Sequence, residues 1–203
     1  MSDSGDTISG VKNTVSTMLA EVHTAMPGVV VSYDAATRRA TVLPSLSKQL
    51  ADGRVLPAPQ IVSVPVIFPT GSNGRAGITF PIVPGDGVML HFSERSLEAW
   101  HDAGGATPDD PRQFDLSDAV AVPGLNHGGA TPAAHADNMV ITFGAASISM
   151  TPAGTMIFHA SGFEFDGGNV VVPANDVIAT GKSLRTHVHG GVVTGGGTTG
   201  MPS

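Results

Sequence analysis

Residues 137–176 read DNMVITFGAASISMTPAGTMIFHASGFEFDGGNVVVPAND. Apolar side chains alternate along five short segments: Met139, Ile141 and Phe143; Ile148 and Met150; Met156 and Phe158; Phe163 and Phe165; Val170 and Val172. Gly, Pro or Asn/Asp closes each segment. A period of two sends each set to one face of a strand. No helical pattern intervenes to cover that face, and a small single sheet has too little to pack against on its own. Two covers are open to it. Other copies of the chain could wind about a common axis, so that three apolar faces close into a prism without free lateral edges. Alternatively, the segment forms a second sheet on the domain that precedes it.

That preceding domain also has the texture of strands. GVVVSYDAATRRATVLPSL, residues 28–46, predicts strand, turn, strand, with Asp34–Thr37 as the turn. IVSVPVIF and AGITFPIVPGDGVMLHFSER follow, the second broken by a turn at Pro84–Gly87. Short strands at this spacing predict a small closed barrel or sandwich. Pro65, Pro81 and Pro84 favour edges and bends. WHDAGGATPDDPRQFDLSDAVAVPG, residues 100–124, reads as polar and irregular, and the domain ends near Gly124. Tyr33 and Trp100 are single aromatics that read as packing residues.

At the N-terminal side, Ile8, Val11, Val15, Met18, Leu19 and Val22 recur at spacings of three and four over residues 6–25. That is one apolar stripe on a helix, stopped by Pro27 and Gly28. The stripe needs a cover outside the helix: its own domain, a partner protein, or a three-helix association.

At the other end, SLRTHVHGGVVTGGGTTGMPS, residues 183–203, sets His187 and His189 one residue apart before a glycine-rich tail. In extended chain these two project to the same side. Alone they are a weak metal motif, equally readable as a solvated pair. A threefold axis beside them would gather six imidazole nitrogens, a number that suits an octahedral ion and argues against tetrahedral zinc. Glycine would allow three backbones to converge.

Composition removes several functions. Ten Lys and Arg lie scattered in a chain of net charge −7, so the concentrated basic surface that nucleic acid needs is missing. No cysteine is present, which excludes disulfides and thiolate metal sites. MSDSGDTISG lacks the basic start and apolar run of a signal peptide, so synthesis as a soluble cytoplasmic chain is expected. GGGTTG at 195–200 matches the dinucleotide glycine pattern only formally, without a following helix, and ATGKS at 179–183 has Asp176 where a phosphate loop needs glycine. From Leu184 onward there is no Asp or Glu to serve a metallohydrolase as base. No enzyme is expected.

Taken together, VPVIFPTGSNGRAGITFPIVPGDGVMLHFSERSLEAWHDAGG, PRQFDLSDAVAVPGL and LRTHVHGGVVTGGGTTGMP resemble the baseplate spike proteins of contractile-tailed phages, the baseplate assembly protein V type with its R-type pyocin relatives. The resemblance covers nearly the whole chain. It implies a mainly β protein with an N-terminal helix and hub-facing segment (1–27), an OB-fold domain (28–124), a linker (125–136), a stem (137–183) and a metal-binding tip (184–203). The stem would be an intertwined, trimeric, triple-stranded β-helix. The tip would hold one iron ion per trimer through six ligands, His187 and His189 of three chains. The implied partners are two further copies, a baseplate hub protein at the N-terminal region and, transiently, the host outer membrane. The implied place is the tail tip of a virion, and the implied task is puncturing that membrane when the sheath contracts. A glycan- or ligand-binding OB-fold module without a piercing role is the alternative.

Overall fold

The computed structural model describes residues 3–50, 52–108, 110–128 and 133–188, with Gly191 and Gly195. The chain divides into two units, Met1–Ala133 and Ala134–Ser203.

The first unit opens with helix α1 (Asp3–Leu19) and continues as strands β1 (Ala25–Asp34), β2 (Arg39–Pro44), β3 (Lys48–Gln49), β4 (Val55–Leu56), β5 (Ile61–Pro65), β6 (Thr70–Gly71), β7 (Ala76–Gly77) and β8 (Gly87–Phe92). A short helix α2 (Glu98–Ala103) and a 3-10 turn (Leu116–Asp118) lead into β9 (Ala119–Pro123). The β1–β2 turn forms because Asp34 accepts hydrogen bonds from the Ala36 amide (3.0 Å) and the Thr37 hydroxyl (2.7 Å). α1 ends earlier than its sequence pattern: the His23 amide donates to the Phe114 carbonyl at 3.3 Å and Thr24 accepts from Phe92 at 3.0 Å, so strand pairing takes over before Ala25.

Five strands make one sheet in the order β5–β2–β1–β8–β9, every neighbouring pair antiparallel. Just beyond β5, Val66 pairs in parallel with Ala121 of β9, and the Ile67 amide donates to Ala121 O at 2.9 Å. This joins the two outer strands, so the sheet curls onto itself as a small five-strand barrel, consistent with an OB-like fold. Its interior is apolar and tightly filled. Val88, Leu90 and Phe92 alternate inward along β8, while His91 faces out. Burying a side chain such as Leu90 contributes about 2–3 kcal/mol. At Gly28 on β1, a methyl group would stand 2.7 Å from Val42 Cγ1 and 3.1 Å from Leu90 Cδ1, so the packing leaves room only for hydrogen. In β5 a bulge with Ser63 at φ 59° lets Ile61 and Val64 both turn inward, and the Arg39 guanidinium fastens it by donating to Ser63 O at 2.8 Å.

Residues 100–124 are therefore more ordered than their polarity suggests. They supply most of α2 and all of β9, the strand that closes the barrel. The alternation of AVAVP runs the unexpected way, with small Ala119 and Ala121 buried in the narrow interior and Val122 outside, so the apolar signal was weak. Tyr33 does pack against the core, but Trp100 on α2 is 59% exposed, which corrects its reading as a packing residue.

In the second unit β10 (Met139–Phe143), β11 (Ala146–Met150) and β12 (Met156–His159) form an antiparallel sheet, and β13 (Ile178–Ala179) with β14 (Lys182–Ser183) a small hairpin. Register fulfils the alternation read from sequence. Met139, Met150 and Met156 make one cross-strand row; Ile141, Ile148 and Phe158 make the next on the same face. The segments GFEFDGG and NVVVPAND, expected as strands, have no strand assignment. A strand needs a hydrogen-bonded neighbour, and among the described residues these two find none. No described residue of the second unit is buried.

Candidate functional site

Of the two histidines singled out from sequence, His187 lies at the end of the described stretch that follows β14, and His189 lies outside the described residues. The backbone reaches His187 through a compact polar turn. Thr180 and Gly181 both take positive φ (47° and 78°), the geometry of a tight two-residue hairpin between β13 and β14. Across its base, the Asp176 carboxylate accepts from the Val177 amide at 2.8 Å, the Arg185 amide at 3.1 Å and the Ser183 hydroxyl. Ser183 Oγ in turn accepts from the Thr186 amide (2.8 Å) and hydroxyl (2.7 Å). These donors, Ser183 first, hold the Asp176 carboxyl below its ordinary pKa.

The ring of His187 is oriented by the same turn. Its Nδ1 stands 3.1 Å from Ser183 O and 3.0 Å from Leu184 O. Carbonyl oxygens only accept, so Nδ1 carries the proton and, in the neutral ring, the lone pair is on Nε2. An imidazole whose tautomer is set by a backbone carbonyl is the usual form of a metal-ligating histidine, so the donor chemistry fits an ion such as iron. Among the described residues no three His, Asp or Glu gather as a ligand shell, so His187 alone makes no complete site. Beside it runs an open groove of ≈ 670 Å³, lined by Val177, Ala179, Leu184, Thr186 and Val188 among others.

The Asp176–Ser183–Thr186 network had no signal in the sequence. It joins residues seven and three apart across a turn, where no periodicity marks them. The structure also explains why ATGKS is not a phosphate loop: Thr180–Gly181 is a hairpin turn between strands, not the entry to a helix.

A second concavity, of ≈ 490 Å³, opens on the barrel between β5, α2 and the 3-10 turn, with Arg39, Ser63, His101, Arg112 and Asp118 on its wall. Arg112, Asp118, Glu98 and Asp110 pair with one another there. Arg112 Nε donates to Asp118 Oδ2 at 2.7 Å and Nη2 to Oδ1 at 3.2 Å, with Glu98 at 3.4 Å and Asp110 at 3.6 Å beyond. Asp118 is 3% exposed and also accepts from the Leu97 amide at 2.8 Å. Its hydrogen bonds are the first cause raising the Arg112 pKa above its already high value. The pKa of His101 is lowered by burial and then by Arg39, and its Nε2 has no hydrogen-bond partner among the described residues. This is a closed structural network tying α2 to the strand that shuts the barrel. Of the other histidines, His91 and His159 are exposed on strands, His23 tilts against Phe92 at 5.6 Å, and His135 Nδ1 accepts two amides of its own turn.

A curled, OB-like five-strand sheet in one unit and an exposed apolar sheet in the other define the class: a mainly β protein. Residues 26–124, just under half of the chain, match the family described as phage protein Gp138 N-terminal domain, over all but the first residue of β1 through β9. The match supports a structural phage role. Among curated proteins, none matches the chain.

Proposed function

We propose that this protein is the membrane-piercing spike at the centre of a contractile tail baseplate. Three copies assemble with their OB-like barrels as a collar. Their second units wind into a triple-stranded β-helical stem, and their C-terminal segments meet at a pointed tip. His187 and His189 of the three chains hold one iron ion there through six imidazoles. The ion cross-links the chains where the structure is too thin for a hydrophobic core. The N-terminal region faces the baseplate hub, and the task is mechanical, with no catalytic step.

One observation carries this reading. The second unit aligns its Met and Ile/Phe rows in register on one face, yet leaves every described residue unburied, with Met139 62%, Phe143 72% and Phe158 50% exposed on that face. Contiguous apolar surface on this scale marks an interface, and sister copies supply the matching face by symmetry. The phage-protein match over residues 26–124 and the carbonyl-fixed tautomer of His187 support it independently.

The test combines solution mass with elemental analysis of untagged protein. A trimer holding one iron per three chains is expected, and His187→Ala with His189→Ala should remove the iron and keep the trimer. One metal per chain, or full metal retention in the double variant, would place the ion elsewhere. A single-chain mass would overturn the spike and favour a monomeric glycan- or ligand-binding module.

A further inference from the structure

On α1, Ile8, Val11, Val15 and Met18 follow one another at intervals of three, four and three, with Leu19 beside Met18, while Val22 lies past the end of the helix. Over two heptads Ile8 and Val15 take a positions and Val11 and Met18 take d, the spacing of a coiled-coil seam, with Leu19 at a flanking e position.

Among the described residues nothing in the first unit covers this seam: Val15 is 48% exposed and Met18 68%. The helix also has little reason to form alone. Between Thr7 and Thr17 it carries six β-branched residues and Gly10, all below alanine in helix propensity. At 17 residues it is only slightly longer than helices that are marginal in water, so its stability must come from packing. A lipid surface is a poor cover, since the helix has a single basic residue, Lys12, and lacks the basic polar face such helices use. Positions flanking the seam are mostly uncharged: Thr7, Lys12, Thr14 and Leu19. Self-association therefore meets little like-charge repulsion. β-branched residues at both a and d, as at Ile8 and Val11, favour assemblies above two strands.

We infer that the α1 stripe is the seam of a parallel three-helix coiled coil made with α1 of two further copies of this chain. This rests on the trimer proposed above, which would hold three α1 helices at high effective concentration. A baseplate hub would then meet an assembled bundle instead of single helices.

The chain contains no cysteine, which makes the test direct. Val15→Cys and Met18→Cys probe the seam; Asn13→Cys probes the opposite face of the helix. Each full-length variant is oxidised mildly, run on a non-reducing gel, and weighed in solution. In a trimer, cross-linking at Val15 and Met18 should exceed that at Asn13 by about tenfold or more, giving covalent dimers with the third chain left single. A trimer that cross-links at neither seam position, or equally at all three, overturns the coiled coil while leaving the spike standing. A monomer overturns both.

Discussion

Arg112 and Asp118 show how much of the barrel depends on single side chains. Asp118 is a carboxylate at 3% exposure, tolerable only because Arg112 meets it with two nitrogens and the Leu97 amide supplies a third donor. Removing the arginine would leave a buried charge with one neutral donor, a defect that costs about 3 kcal/mol. Arg112→Ala should therefore destabilise the first unit by about that amount in denaturant unfolding followed by the fluorescence of Trp100, the only tryptophan, which sits on the same α2. Glu98 meets the same guanidinium from an exposed position, so Glu98→Gln should change stability by less than about 1 kcal/mol. Equal effects of the two would show that the buried contact is not what fastens α2. Nothing in the sequence announced this pair, because five residues lie between its members and neither belongs to an apolar pattern. The spacing of His187 and His189 could be noticed for the opposite reason: it is a local property of the sequence that needs no fold to be seen.

Strand signals were readable where apolar size alternates and a neighbour lies close in sequence. β10, β11 and β12 satisfy both conditions and pair so that their alternating apolar residues share one face, in a register the sequence left open. β9 fails the first, since its inward residues are alanines. GFEFDGG and NVVVPAND fail the second, since alternation alone makes no strand without a ladder partner. Ile148 sits at the middle of the sheet, between Ile141 and Phe158 in one cross-strand row. If that face is the trimer interface, a charge there must be desolvated without a counter-ion. Ile148→Asp should then reduce the solution mass from trimer to monomer while Trp100 fluorescence still reports a folded barrel. Thr142→Asp, on the other face of β10 and paired with Ser147, should stay trimeric. A trimeric Ile148→Asp protein would move the interface away from this face.

The two units differ in what can hold them together, and this sets how the molecule should come apart. The first contains the buried apolar cluster from Val30 to Ala121, so it owns a core. The second owns none among its described residues, and in the proposed trimer its order is shared with other chains. An intertwined stem opens only when three chains separate, which makes its unfolding slow and its apparent melting temperature dependent on heating rate. A compact barrel of about 100 residues should instead melt cooperatively near the range of ordinary domains. Both Tyr33 and Trp100 lie in the first unit, so tryptophan fluorescence follows the barrel alone while far-ultraviolet circular dichroism follows both units. Two transitions are expected: an earlier one seen by both probes and independent of scan rate, then a later one seen by dichroism only, shifting upward as heating is faster. A single coincident transition would mean that barrel and stem fail together. The stem would then have no kinetic stability of its own, and a piercing role could not rest on it.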